Sequence, residues 1–148
     1  AMRLTSFPDF GLRALMRLAQ EPGRDQTVGG LAAELGLSRH HLNKVVQALA
    51  AGGFVVTRRG AGGGFRLARP AWAITLGEAV RCLEGTTALV ECFRVDGGSC
   101  SLTPGCRLKG RLAAARQAFL AELDRTPLAA CAAPAPAARA ERQNDSVP

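Results

Sequence analysis

No stretch of this 148-residue chain is long and apolar enough to span a membrane; its apolar runs are short and interrupted. The first residues, A-M-R-L-T-S-F-P-D-F, lack the apolar core of a signal peptide. Both absences predict a cytoplasmic protein without membrane partners, whose thiols stay reduced. No C-x-x-C occurs, and no Ser/His/Asp or Cys/His constellation stands out. A thiol oxidoreductase, or any other enzyme, therefore has no visible chemistry here. Five cysteines are an odd number, which argues against a complete disulfide framework. The glycine-rich stretch at 60–64 lacks the Lys-Ser/Thr ending of a phosphate loop and leads into a strand, which removes nucleotide binding. No internal repeat is present.

Acidic residues are scarce where basic ones gather. The net charge is +7, and residues 1–70 hold ten Lys/Arg against four Asp/Glu, so +6 of it lies in the first half. That half is the expected polyanion face.

Hydrophobic spacing predicts a helix over 6–20, with Leu12, Leu15, Met16 and Ala19 inward and Pro8 in its first turn. A loop, E-P-G-R-D-Q, leads to a short helix over 28–35. Gly36-Leu37-Ser38 is a turn, and Ser38 caps a third helix that runs to about Ala51 and buries Leu42, Val45, Val46 and Leu49. Two strands, F-V-V-T-R-R and F-R-L-A, flank the tip G-A-G-G-G and form a hairpin. A helix from Ile74 to about Glu84 follows, then a loop, then a long helix over 107–123. Its stripe of Leu108, Leu112, Ala115, Phe119 and Leu123 suits a dimer seam. The Ala/Pro-rich end from Ala129 reads as disordered.

This order predicts a mainly α chain: a winged helix-turn-helix with a β-hairpin wing and a long C-terminal dimerisation helix. Its parts are a DNA-binding domain at 2–70, a cysteine loop and dimerisation helix at 71–128, and a tail at 129–148. Ser38, Arg39, His40, Asn43, Lys44 and Gln47 share the outward start and side of the third helix, opposite its apolar stripe. Arg and Lys reach guanine edges or phosphates, and Asn and Gln can pair with adenine. Arg58, Arg59, Gly62 and Gly63 form the wing tip, where glycines permit close backbone approach to phosphate. The expected partner is double-stranded operator DNA.

Cys92, Cys100 and Cys106 share one loop with the spacing C-x7-C-x5-C. Structural zinc sites favour paired knuckles with short gaps and four ligands, a poor match to gaps of seven and five. An iron–sulfur cluster tolerates wider gaps, but three thiolates leave one protein position unfilled. Cys82, Cys131, His40, His41 or a carboxylate are open as the fourth.

The segments M-R-L-T-S-F-P-D-F-G-L-R-A-L-M-R-L-A at 2–19, R-R-G-A-G-G-G-F-R-L at 58–67 and L-V-E-C-F…C-S-L-T-P-G-C-R-L-K at 89–109 resemble the Rrf (type two) winged-helix regulators. Within that family they are most similar to its nitric-oxide-sensing repressors. The resemblance implies a homodimer with one [4Fe-4S] cluster per subunit, held by Cys92, Cys100 and Cys106. It implies Asp9, from the partner subunit, as fourth ligand; read alone, Asp9 is an acid favoured in a helix's first turn by the macrodipole. It also implies release of operator DNA on exposure to nitric oxide. Other branches respond to iron or cluster status, and a thiol-based redox repressor without a cluster is the further alternative.

Overall fold

The computed structural model describes residues 4–85 and 88–132. Helices α1 (Ser6–Gln20), α2 (Val28–Leu35) and α3 (Arg39–Ala51) precede the hairpin β1 (Val55–Arg58) and β2 (Gly64–Leu67). Then come α4 (Leu76–Glu84), α5 (Arg107–Asp124) and α6 (Leu128–Ala132), with single 3-10 turns at Ala71–Ala73, Glu91–Phe93 and Thr103–Gly105. This is the winged helix-turn-helix that the sequence predicts.

The turn between α2 and α3 is a glycine-terminated helix end. Gly36 sits at φ 67°, and Leu37 N–H closes back on Ala32 O at 2.8 Å. Only a left-handed residue lets both backbone groups be satisfied while the chain changes direction. Ser38 then accepts the His41 N–H at 3.4 Å, starting α3 at the expected residue. All four residues of the α3 stripe are buried.

The buried face of α1 differs from the expected one. Leu15 is fully buried, but its companions are Ala14 and Leu18, while Leu12, Met16 and Ala19 are only half-buried at the edge of the core. The cause is that α1 packs against α3, α4 and α6 together, which turns its central line inward. A Cβ at Gly11 would run into Leu83 of α4, so glycine sets how close these two helices lie.

The core does not stop at residue 70. Ile74, Ala79, Leu83 and Leu128 are buried in the same cluster as the α1–α3 residues, so the expected division at 70/71 is not a packing boundary. The expected disordered end also begins too early. Residues 129–132 continue α6, anchored by Leu128 N–H on Ile74 O at 2.7 Å and by Leu76 N–H on Thr126 O at 3.0 Å. Composition misses this because Ala-Ala-Cys-Ala is apolar enough to dock only once α1 offers a surface. Residues 133–148 lie outside the described residues.

Helix α4 opens with a capping box, Thr75 and Glu78 each satisfying the other's backbone. Its Arg81 holds Asp124 at the end of α5 in a two-point pair, with Nη2 to Oδ2 at 2.7 Å. That guanidinium keeps the Asp124 carboxyl below the usual carboxylate range. Among the described residues no helix is long and apolar enough to cross a membrane.

Leu128 is fully buried although it opens a five-residue helix. Leu128→Ala should lower unfolding free energy by about 2–5 kcal/mol, as for other buried leucines. Cys131→Ser, one turn along and exposed, should change it by no more than about 0.5 kcal/mol. Denaturant melts of the two variants check the pair.

Candidate nucleic-acid interface and cysteine loop

Burial of the α3 stripe turns the opposite side of that helix to solvent. Ser38, Arg39, His40, Asn43, Lys44 and Gln47 are all exposed, as their spacing requires. The start of α3 faces a wide cleft of about 710 Å³ whose walls are Thr27, Val28 and Gly29 of the α2 start, Arg39, His40 and Asn43 of α3, and Gly63 and Gly64 of the wing. The wall from α2 has no counterpart in the sequence expectations. Its one local signal was Thr27 before an apolar run, and Thr27 indeed caps α2 by accepting Gly30 N–H at 3.0 Å.

The wing is held in place by a short third element. Gln26 N–H donates to Phe65 O at 2.9 Å, and Phe65 N–H donates to Gln26 O at 2.8 Å. Phe65 itself is buried. Next to this bridge Asp25 pairs with Arg58 at 2.9 Å and lies 3.5 Å from Arg66 Nε. The four wing arginines are therefore not equivalent. Arg58 and Arg66 share one carboxylate, and Arg69 stacks on the Phe54 ring at 5.1 Å while donating to Ala73 O at 2.9 Å. Arg59 is exposed and makes no ion pair among the described residues, so its charge is fully available to an anion. Spacing alone could not separate Arg58 from Arg59, because Asp25 is over thirty residues away in the chain.

The tip turns on glycine at two places where nothing else fits. Gly62 lies at φ 76°, and a Cβ at Gly63 would stand 2.5 Å from Arg58 O and 2.8 Å from Gly60 O. The Gly63 N–H closes the turn on Gly60 O at 2.9 Å.

The three loop cysteines are free and half-buried. Cys92 lies in the turn Glu91–Phe93, and Cys106 is the N-cap residue of α5. The loop is folded on itself by one carboxylate. Glu91 Oε1 accepts the Ser99 N–H at 2.9 Å and the Ser99 hydroxyl at 2.8 Å. These bonds hold the Glu91 carboxyl below the usual carboxylate range, the backbone bond contributing most. Backbone turns continue the chain of contacts: Thr103 N–H reaches Cys100 O at 3.3 Å, and Cys106 N–H reaches Thr103 O at 3.4 Å. Neither Glu91 nor Ser99 was singled out by sequence, since an eight-residue side-chain contact has no periodic signal.

The remaining expected ligands are placed elsewhere. Asp9 lies in the first turn of α1, half-buried, and bound to Arg13 one turn on at 2.8 and 3.1 Å. Cys82 points its sulfur at Ala48 O (3.6 Å), and burial pushes its thiol pKa up, so it behaves as a packing residue between α4 and α3. His40 and His41 are exposed on α3. Cys131 is exposed on α6. Among the described residues no three His, Cys, Asp or Glu side chains stand close enough to hold a metal ion. The donor set still suits a soft centre: three free thiols on one loop are the protein ligands that iron–sulfur chemistry uses. It supplies three of the four that a cubane needs.

Among the described residues the α5 stripe is not consumed within the protomer. Leu120 is the one buried residue of α5, and Leu108 and Phe119 are exposed at 63% and 36%. Leu112, Ala115, Phe119 and Leu123 instead line an open apolar groove of about 570 Å³, closed on its other side by Leu4, Thr5 and Leu12 of the α1 segment and by Ala88 and Leu89 at the head of the cysteine loop.

A family model described as Rrf2, iron-dependent transcriptional regulator, matches residues 4–134. The fold is similar to the oxidised form of Staphylococcus aureus CymR, at 26% identity over 91% of this chain and 99% of that one, with a TM-score of 0.69. It is similar to CymR (YrzC), the global cysteine regulator of B. subtilis, at 29% identity over 89% and 97% of the two chains, TM-score 0.69. It is also similar to T. potens IscR, at 27% identity over 87% and 85%, TM-score 0.66.

Gly63→Ala should fray the wing tip at a cost of roughly 1–3 kcal/mol, because its new Cβ meets backbone rather than a side chain that can move. Amide exchange at Gln26 and Phe65 should accelerate while the α3 core amides stay protected.

Proposed function

The chain belongs to the Rrf2 family of transcriptional regulators, and from that membership we propose that it is a homodimeric repressor of the nitric-oxide-sensing NsrR branch. It binds operator DNA through α3 and the wing, and carries one [4Fe-4S] cluster per subunit on Cys92, Cys100, Cys106 and Asp9 of the partner subunit. The observation that carries the reading is the direct covalent junction of the cysteine loop to α5. Cys106 is both the third thiol and the N-cap residue of the helix whose apolar side is left open.

The DNA part follows from exposure and charge. The α3 residues enter the major groove, with Arg39 and Lys44 as cations and Asn43 and Gln47 as base-reading amides. Arg59 and the N–H groups around Gly62 and Gly63 meet the flanking phosphates. Arg58 contributes less, because Asp25 shares its charge.

The dimer part follows from the groove. A second copy seated along Leu112, Phe119 and Leu123 buries apolar surface worth about 25 cal/mol per Å² removed from water. The groove is bordered by the start of α1 and by Ala88–Leu89. A copy placed there therefore lies beside the segment that carries Asp9 and beside the segment that leads to Cys92. That neighbourhood supports an intersubunit site, for which Asp9 has to leave Arg13.

Bound to these residues, the cluster supplies iron that reacts with nitric oxide. The protein's own part is mechanical. Cys92, Cys100 and Cys106 hold the loop closed at the N-terminal end of α5, and α5 sets the separation of the two recognition helices. Half-sites one helical turn apart demand that separation, so loosening the loop releases the operator. Nitric-oxide detoxification genes are the class of target this implies.

A second reading draws on the similarity to CymR in an oxidised form and to a cysteine regulator, together with the free state of all three thiols. In it the thiols themselves respond to oxidants and no cluster is held. The family description as iron-dependent favours a metal centre; within that reading, iron or cluster status is the alternative signal to nitric oxide.

Protein purified without oxygen should contain iron and sulfide near four of each per subunit, on the order set by a cubane, and Cys100→Ala should lose them. Iron-free protein that still binds operator and responds to peroxide selects the thiol reading. Operator binding unchanged by nitric oxide, with the cluster present, selects the iron-status reading.

Lys44→Ala should weaken operator binding and flatten the dependence of log affinity on log salt by about 0.9, the loss of one phosphate contact. Binding titrations at several salt concentrations measure both; an unchanged slope removes Lys44 from the phosphate contacts.

A further inference from the structure

The seven residues between Cys92 and Cys100 do not form an open span. Glu91 precedes the first cysteine and Ser99 precedes the second, and the two are joined by a pair of hydrogen bonds to a single oxygen, Glu91 Oε1. Consecutive N–H groups before Ser99 are also directed inward. Gly97 N–H donates to Arg94 O at 2.9 Å, and Gly98 N–H donates to Asp96 Oδ1 at 3.0 Å. Gly97 and Gly98 lie at φ 76° and 64°. At Gly98 a Cβ would stand 2.6 Å from both Cγ and the carbonyl oxygen of Glu91, so the chain passes against Glu91 with no room for a side chain. Residues 93–98 are thereby turned out as a small closed loop, and the chain re-enters beside its starting point.

We infer that Glu91 is a positioning residue for the thiols: its clamp on Ser99 delivers Cys92 and Cys100 as a preset pair before any metal arrives. The inference rests on the reading of these cysteines as ligands, but it concerns the cluster-free protein and needs no iron to be tested. The clamp acts through hydrogen-bond acceptance rather than net charge. A single oxygen takes both bonds, and the amide oxygen of glutamine can do the same. A loop held in the binding geometry loses less freedom on capturing a bridging group than an open one.

Phenylarsine oxide is a suitable probe, because its arsenic forms two S–As bonds with neighbouring thiols and releases one water, with no change in oxidation state of sulfur. Full-length cluster-free protein should bind it across Cys92 and Cys100, identified by which cysteines escape subsequent alkylation. Glu91→Ala should weaken this capture about tenfold or more, as expected for losing a pair of hydrogen bonds, and Glu91→Gln should restore it to near the wild-type value. The melting temperature of all three proteins should be the same, since Glu91 is exposed and outside the core. Equal capture by wild type and Glu91→Ala overturns the positioning role, as does failure of Glu91→Gln to rescue. Absence of iron from the anaerobically purified wild type, with the arsenical pattern intact, overturns the cluster reading and leaves the preset thiol pair standing.

Discussion

The contact between α3 and α1 governs the rest of the molecule. Leu42, Val45, Val46 and Leu49 are buried with Ala14, Leu15 and Leu18, and each such large side chain contributes about 1.5–3 kcal/mol relative to exposure. A helix has one stripe to bury, so burying this one leaves Arg39, Asn43, Lys44 and Gln47 no alternative to solvent. The same core fixes the wing. Phe65 enters it from β2, and Gln26 ties β2 to the segment before α2. The cleft between α3 and wing is therefore a consequence of core packing.

Beyond this core the chain is organised as a series of joints. Arg69 couples the wing's exit to the approach of α4 through Phe54 and Ala73. Arg81 couples α4 to the end of α5 through Asp124. Helix α5 itself buries little in its own protomer. Such a helix is held at its two ends, by the Asp124 pair and by the cysteine loop that runs into Cys106. An element held in that way shifts when either end changes, which is the mechanical property a sensor joined to a DNA-binding unit needs. The proposed cluster and the proposed dimer depend on each other for this reason: both draw on surface that a single chain leaves incomplete.

Much of the fold was legible from periodicity. The bounds of α1, α2 and α3 follow from apolar spacing, with Ser38 as a cap and Gly36 in the turn, because helix signals are local. Where the reading went astray, the deciding contact was remote. The buried line of α1 shifted to Ala14 and Leu18 because three helices press on it at once. Helix α6 was missed because its docking surface is α1, more than a hundred residues earlier. Residue 70 is not a packing boundary, because Ile74 and Leu128 enter the core begun by α1.

The candidate sites divide along the same line. Residue type and spacing alone determined that α3 presents a basic, amide-bearing side, that a glycine tip forms the wing, and that three thiols share a loop. These are properties of short segments, where helical and turn geometry dictate which side chains point together. Only the tertiary structure decided that Asp25 takes up Arg58 rather than Arg59, that Glu91 and Ser99 fold the cysteine loop shut, and that the Cys82 thiol packs between α4 and α3. Each of these depends on a hydrogen bond, ion pair or desolvation between residues with no periodic relation. Such terms exist only after the backbone has brought the partners within a few ångströms.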